Sequence, residues 1–215
     1  MADEEPVHTP AAAELLIDTA ERLIGEHGLE AVSLRQISRA AGQGNNYAVQ
    51  YHFGDQAGLI RAIQDRRMPE VERRRSALLA EVRAAGRQRD TRALTEVLYL
   101  PLLDLRDANG ERRFARFVLA MLSLPDVERF GDGLVESMPS AMEALEMLRL
   151  QHPGMPMELI LERQRLLAIM VLTSVFNRRP PFDLAENDAA AIDNALAMAS
   201  AALAAPVGRG VAAIV

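Results

Sequence analysis

Four side chains between residues 45 and 50 have the chemistry to recognise a nucleic-acid base. They are Asn45, Asn46, Tyr47 and Gln50. Asn and Gln each carry one acceptor and one donor, the pair that matches an adenine edge in the DNA major groove. Tyr51 and His52 follow directly and are suited to contacts with backbone phosphates. These residue types form a DNA-reading surface if a helix presents them on one exposed side.

Helix signals place a short helix before this segment. Ser33 and Gln36 fit a Ser-x-x-Gln capping box, so a helix is predicted to begin at Leu34. Its first turn, capped by Ser33, offers backbone N–H groups that favour a phosphate. Gly42 ends this helix after two turns and permits a tight reversal of the chain.

A second short helix is predicted from Tyr47 to Phe53, with Asn46 as its N-cap. Gly54 ends it, and Asp55 caps the helix that follows. Two short helices joined by a Gly-containing turn describe a helix-turn-helix. The alternative is that the two asparagines only form the turn and the cap, and that His52 only hydrogen-bonds the helix end.

The rest of the chain also has the composition of helices. Ala, Leu, Glu and Arg dominate its 215 residues, and no stretch alternates apolar and polar residues as a strand does. A first helix is predicted from Pro10, with an apolar stripe that ends at His27. Pro69 is expected to break the chain between helices. The longer helices are predicted at 70–86, 91–105, 111–123, 134–150, 158–178 and 185–205. The expected fold is all-α.

Residues 12–63 resemble the DNA-binding region of TetR-family transcriptional regulators. The resemblance rests on AVSLRQISRAAG at 31–42 and YHFGDQAGLIRAI at 51–63. It implies a homodimer with two domains in each subunit. These are an N-terminal three-helix helix-turn-helix DNA-binding domain at 9–67 and a C-terminal helical ligand-sensing and dimerisation domain at 68–205. It also implies a repressor that a small molecule releases from a palindromic operator.

The resemblance assigns roles to individual residues. Ser33 and the pair Tyr51 and His52 would hold the phosphate backbone, and the exposed face from Gln43 to Gln50 would read bases. Eight residues separate Gly42 from Tyr51, one more than the family pattern, so the turn must bulge or the second helix must start differently. Asp55-Gln56 stands where the family commonly has a Lys. The arginines expected to supply the missing attraction to DNA are Arg35, Arg39 and Arg61.

The charge balance points in two directions. A net charge of −6 argues, as an average, against nucleic acid as a partner. The negative charge is uneven, because residues 1–30 hold eight acids whereas residues 31–53 hold two arginines and no acid. The acid-free segment favours DNA binding. The acidic first helix keeps open the alternative of a helical protein-interaction adaptor that does not bind DNA.

Large apolar side chains mark a candidate ligand pocket in the second domain. They are Phe114, Phe117, Met121, Met138 and Met142. Adaptable Met and Phe side chains are typical of pliable apolar pockets, although core packing also explains them. The helices at 158–178 and 185–205 carry apolar stripes that could form a four-helix dimer interface. The alternative is that one subunit buries both of them.

Catalytic motifs do not occur in the sequence. It has no His-Glu-x-x-His pair, no Walker loop, no dinucleotide-binding Gly fingerprint and no Gly-x-Ser-x-Gly elbow. It also has no Cys, which excludes disulfides, thiol catalysis and Cys-ligated zinc. We expect a non-enzymatic protein without metal or cofactor. The acidic start lacks the basic and apolar regions of a secretory signal, so we expect a cytoplasmic protein with no membrane segment.

Overall fold

The computed structural model describes residues 10–131, 133, 135–177 and 187–206. Within these residues the chain forms nine α-helices, a short 3-10 helix at Val127–Phe130 and no strand. The α-helices are α1 (Pro10–His27), α2 (Leu34–Ala40), α3 (Ala48–Phe53), α4 (Gln56–Ala84), α5 (Thr91–Asp104), α6 (Arg113–Leu122), α7 (Pro139–Leu150), α8 (Met157–Phe176) and α9 (Asp188–Leu203). The predicted all-α fold is confirmed.

The helices form two compact units. The first combines Met1–Pro69 with Arg106–Asp132, and the second combines Glu70–Leu105 with Gly133–Val215. By packing, α6 therefore joins the first unit. The functional domains predicted at 9–67 and 68–205 stay a prediction.

The first unit is built on α1, which packs against α2 and α6, while α2 packs against α3. Leu16, Ala20 and Ile24 of α1 are fully buried, as the apolar stripe predicts. His27 is exposed, so its place in that stripe was wrong. It is the last residue of α1, where the helix already leaves the core.

The helix break that was predicted at Pro69 does not occur. α4 runs through this residue as one helix of 29 residues. Proline removes one backbone hydrogen bond, but Asp65 and Pro69 are both exposed, so the loss falls on the solvent side. The flanking Met68 and Val71 are buried and hold the helix in place. Tertiary packing overrides the local signal here.

The second unit packs α5 against α7, α8 and α9, and α8 along α9. It also buries a cation. Arg75 is nearly inaccessible, and its Nη1 atom donates to Glu72 Oε2 at 2.8 Å. Burial lowers the pKa of Arg75, and the hydrogen bond to Glu72 opposes that shift.

The remaining helices differ from the predictions mainly at their ends. α7 begins at Pro139 rather than 134, and α6 begins at Arg113 rather than 111. Residues 185 and 186 of the last predicted helix lie outside the described residues. No described helix is long and apolar enough to cross a membrane.

Candidate nucleic-acid interface

The start of α2 is the predicted capping box. The Ser33 hydroxyl accepts a hydrogen bond from the Gln36 backbone N–H at 3.2 Å. In return the Ser33 backbone N–H donates to Gln36 Oε1 at 2.8 Å. These bonds are made within one helical turn, which is why four residues of sequence suffice to fix where the helix begins.

The turn between α2 and α3 runs from Ala41 to Tyr47. Gly42 adopts φ +69°, a left-handed conformation that favours glycine. Asn45 Oδ1 accepts from the Tyr47 backbone N–H at 2.8 Å, which forms an Asx turn. α3 begins at Ala48, so the predictions of a start at Tyr47 and of Asn46 as N-cap were wrong. Tyr47 is the N-cap residue and makes no side-chain capping bond.

The third helix has one exposed face and one buried face. Tyr47, Gln50 and Tyr51 are exposed, whereas Ala48 and Val49 are buried. Residues three and four apart lie side by side on a helix, so the exposed three form a continuous surface. We call Tyr47, Gln50 and Tyr51 the α3 face. His52 is half-buried next to it, and its ring meets that of Tyr51 edge-on at 5.2 Å between centroids.

The other predicted base-reading residues lie in the turn. Asn45 and Asn46 are exposed there, outside the helix. Gln43 is half-buried, and its side-chain Nε2 donates back to the carbonyl of Ala41 at 3.3 Å. Gln43 is therefore engaged with the end of α2.

A buried serine, which the sequence analysis did not assign a role, ties α3 to α2. Ser38 is completely buried. Its hydroxyl donates to the Leu34 carbonyl at 3.1 Å and accepts from the Val49 N–H at 3.4 Å. One hydroxyl thus satisfies a free N–H in the first turn of α3. The available signal was a small polar residue on the apolar side of α2.

An arginine on α2 contacts the beginning of α3. Arg35 Nη2 donates to the phenolic oxygen of Tyr47 at 3.0 Å, and its guanidinium carbon lies 5.3 Å from the ring centroid. Both side chains are exposed. The contact adds a fixed positive charge to the edge of the α3 face. Arg39 and Arg61 are exposed as well.

The end of α3 leads directly into α4. Gly54 follows Phe53, and Asp55 Oδ1 accepts from the Gly58 N–H at 2.8 Å. The predicted cap at Asp55 is confirmed. α3 is therefore tied to α2 at its start by Ser38, and its end leads at once into the capped start of α4.

The comparison with protein families agrees with this geometry. The model of the bacterial regulatory proteins of the tetR family matches residues 16–63. The matched range contains the capping box, the turn, the α3 face and the joint to α4. The chain carries a helix-turn-helix domain of the tetR family at residues 16–63. It is a DNA-binding transcriptional regulator with a helix-turn-helix at its N-terminal end. No curated protein matches the chain.

Two arginines of α4 pair with three acidic side chains of the first helix. Arg66 donates from Nη1 to Glu14 at 2.8 Å and from Nη2 to Asp18 at 2.5 Å. Arg67 Nε donates to Glu21 Oε2 at 2.7 Å, and Glu21 is almost fully buried. Burial alone would lower the pKa of Arg66, but the hydrogen bonds to Glu14 and Asp18 outweigh it and raise the pKa.

The predicted ligand-binding residues of the regulator divide between the units. Phe114, Phe117 and Met121 are buried on α6 in the first unit, with the two rings stacked 5.9 Å apart. Met138 and Met142 are half-buried at the start of α7 in the second unit. Among the described residues, no three His, Asp or Glu side chains lie together as a metal site would require.

Proposed function

We propose that this regulator is a cytoplasmic homodimeric repressor, released from a palindromic operator by a small, largely apolar ligand. The observation that supports DNA recognition is the exposed α3 face. Tyr47, Gln50 and Tyr51 point to solvent, while Ala48 and Val49 anchor the same helix in the core. Gln50 can pair with a base edge in the major groove. Tyr51 and the α2 N-terminus at Ser33 supply contacts to phosphates.

The ion pairs of α1 favour DNA binding over a protein-interaction adaptor. The adaptor alternative relied on an acidic first helix that would repel phosphates. Glu14, Asp18 and Glu21 are instead paired with arginines of α4. The guanidinium groups of Arg66 and Arg67 offset two of these three negative charges, so α1 repels phosphates less and the arginines of α2 remain available to attract a duplex.

The dimer is supported by apolar side chains left exposed on the last two helices. Leu166 of α8 and Met198 of α9 are each about half exposed. Ala197 and Ala201 lie on the exposed side of α9 and would allow another helix to approach closely. Because α8 and α9 pack along each other, two copies could join them in a four-helix interface.

Ligand binding would release the operator through a shift of α4. This helix begins next to α3 and continues without interruption to Ala84. A ligand that prefers one position of α4 would shift the recognition helices of the dimer. Those helices must match major grooves about 34–36 Å apart. The proposed ligand-contacting residues are Phe114, Phe117, Met121, Met138 and Met142.

The decisive experiment is selection of bound sequences from a random duplex library with the full-length protein. We expect an inverted repeat with half-sites about one helical turn apart. Affinity for the selected site should fall linearly with salt on a log–log plot, because phosphate contacts release counterions. Recovery of no preferred sequence, together with salt-independent binding, would favour the adaptor instead.

A further inference from the structure

A surface cleft lies in the second unit, and its lining includes none of the residues proposed above to contact the effector. Its volume is about 620 Å³, within the usual range of small-molecule sites. It is formed by the turn between α4 and α5 and by the end of α7. The lining residues are Gln88, Arg89, Met147, Leu150, Gln151 and Pro153.

The cleft contains a cation without a local counter-ion. Arg89 is exposed, and it forms neither a hydrogen bond nor an ion pair with any residue that the structure describes. The nearest acid along the chain is Asp90, which is already engaged. Its carboxylate accepts from the Ala93 N–H at 3.0 Å and pairs with Arg87 at 2.7 Å. These interactions lower the pKa of Asp90, and the hydrogen bond from Ala93 is the largest cause. The Asp90 carboxylate is thus already paired with groups other than Arg89.

The same cleft exposes apolar surface. Leu150 is 65 % exposed, more than any other large hydrophobic side chain among the described residues. Met147 and Pro153 flank it. Apolar surface in a concave site gains free energy when a ligand covers it. The cleft therefore combines a place for an apolar body with a charged anchor.

The two walls of the cleft are held together by one side chain. Gln151 Nε2 donates to the carbonyls of Met147 at 3.2 Å and Gln88 at 3.4 Å. Its Oε1 accepts from the Thr91 hydroxyl at 3.4 Å. The end of α7 is thereby tied to the start of α5. A cleft fixed in this way loses little conformational entropy when it binds a ligand.

We propose that this cleft binds a small amphipathic anion, an apolar chain or ring that carries a single carboxylate. The carboxylate pairs with the guanidinium of Arg89, whose planar fork matches two oxygens. The apolar body covers Leu150 and Met147. The site is distinct from the proposed effector residues and does not depend on them.

Isothermal titration of the full-length protein with decanoate tests the proposal. We expect one saturable site per chain, and at least tenfold weaker binding of decyltrimethylammonium, which has the same chain and the opposite charge. Arg89→Gln should weaken decanoate binding about tenfold, because a charge-assisted pair is lost. Leu150→Ser should also weaken it. Both side chains are exposed, so neither change should alter the thermal unfolding of the protein.

Arg73→Gln is the matched control. It removes the same charge from an exposed position of the second unit outside the cleft, and it should leave decanoate binding unchanged. The proposal is overturned if decanoate does not bind saturably, or if Arg89→Gln binds it as the unmodified protein does. Equal weakening by both arginine changes would indicate a general charge effect and would also overturn it. Operator binding is measured separately, so failure here leaves the proposed function untouched.

Discussion

Gly58 in the first turn of α4 faces the carbonyl oxygen of Phe53 at the end of α3 so closely that no side chain fits between them. A Cβ atom at residue 58 would lie well inside 3.0 Å of that oxygen. α3 thus closes directly onto α4. The angle between α3 and α4 depends on this contact.

Replacing Gly58 by Ala should therefore strain the joint. Overpacking against a backbone atom costs about 1–3 kcal/mol of unfolding free energy, measured by urea denaturation. Operator affinity should fall as well, since α3 must tilt to relieve the overlap. Gly44→Ala is the control, because a Cβ there meets nothing within 4 Å. A neutral Gly58→Ala variant would show that the joint is loose.

The buried carboxylate of Glu21 should stabilise the first unit. It pairs with Arg67 at 2.7 Å and with Arg66 at 3.3 Å. Glu21→Gln leaves partly buried guanidinium groups without that charge, so we expect a loss of about 3–5 kcal/mol in chemical denaturation. Glu26→Gln on the same helix affects only exposed pairs, with Arg22 and with His27 when it is protonated, and should cost less than about 1 kcal/mol. Similar losses for both variants would contradict this account.

Alkaline titration should reveal a tyrosine that resists ionisation. Tyr99 is buried, and its hydroxyl donates to the Gln164 carbonyl at 3.3 Å. Burial raises the pKa of Tyr99. A pKa raised on folding contributes stability below the unfolded value of about 10, and this stability is lost as pH rises above it. Tyrosinate absorbance should therefore show a last step that coincides with unfolding.

Tyr99→Phe provides the comparison for that titration. The variant should lose the last absorbance step. Its free energy of unfolding at neutral pH should fall by only about 1 kcal/mol, the contribution of one neutral hydrogen bond. Stability above pH 10 should then fall less steeply than in the unmodified protein. If the variant instead loses absorbance from an earlier step and keeps the last one, Tyr99 ionises in the folded state.

The α3 face should divide into a base-reading and a phosphate-binding part. Gln50→Ala should cost about 1–3 kcal/mol at one base-pair position and relax the preference there. Tyr51→Ala should weaken binding to the operator and to random duplexes alike. Both are measured by fluorescence anisotropy against single-base operator variants. The assignment fails if Gln50→Ala weakens every sequence equally or if Tyr51→Ala affects only the operator.

A charge on α8 should separate the proposed dimer. Leu166→Asp places a carboxylate on the exposed apolar side of this helix, where a second subunit would desolvate it. We expect a monomer in analytical ultracentrifugation and loss of cooperative operator binding. Leu150→Asp introduces the same charge at another exposed leucine of the second unit and should remain dimeric. An unaffected Leu166→Asp dimer would place the interface elsewhere.

α2 and α4 differ in how well the local sequence predicts their bounds. The capping box at Ser33 and the cap at Asp55 were predictable because their bonds close within three residues along the chain. The start of α3 was missed by one residue, because the Asx turn at Asn45 competes with a cap at Asn46. Pro69 was misread because burial of its neighbours outweighs one missing hydrogen bond.

By itself, the sequence determined the all-α class, the helix-turn-helix and which side chains are proposed to contact DNA, since helix periodicity and capping are local properties. Only the tertiary structure decided which partners those side chains have. Arg35 meets Tyr47 twelve residues away, and Arg67 meets Glu21 across 46 residues. Such pairs form between helices that come together only when the core packs, so no spacing along the chain encodes them.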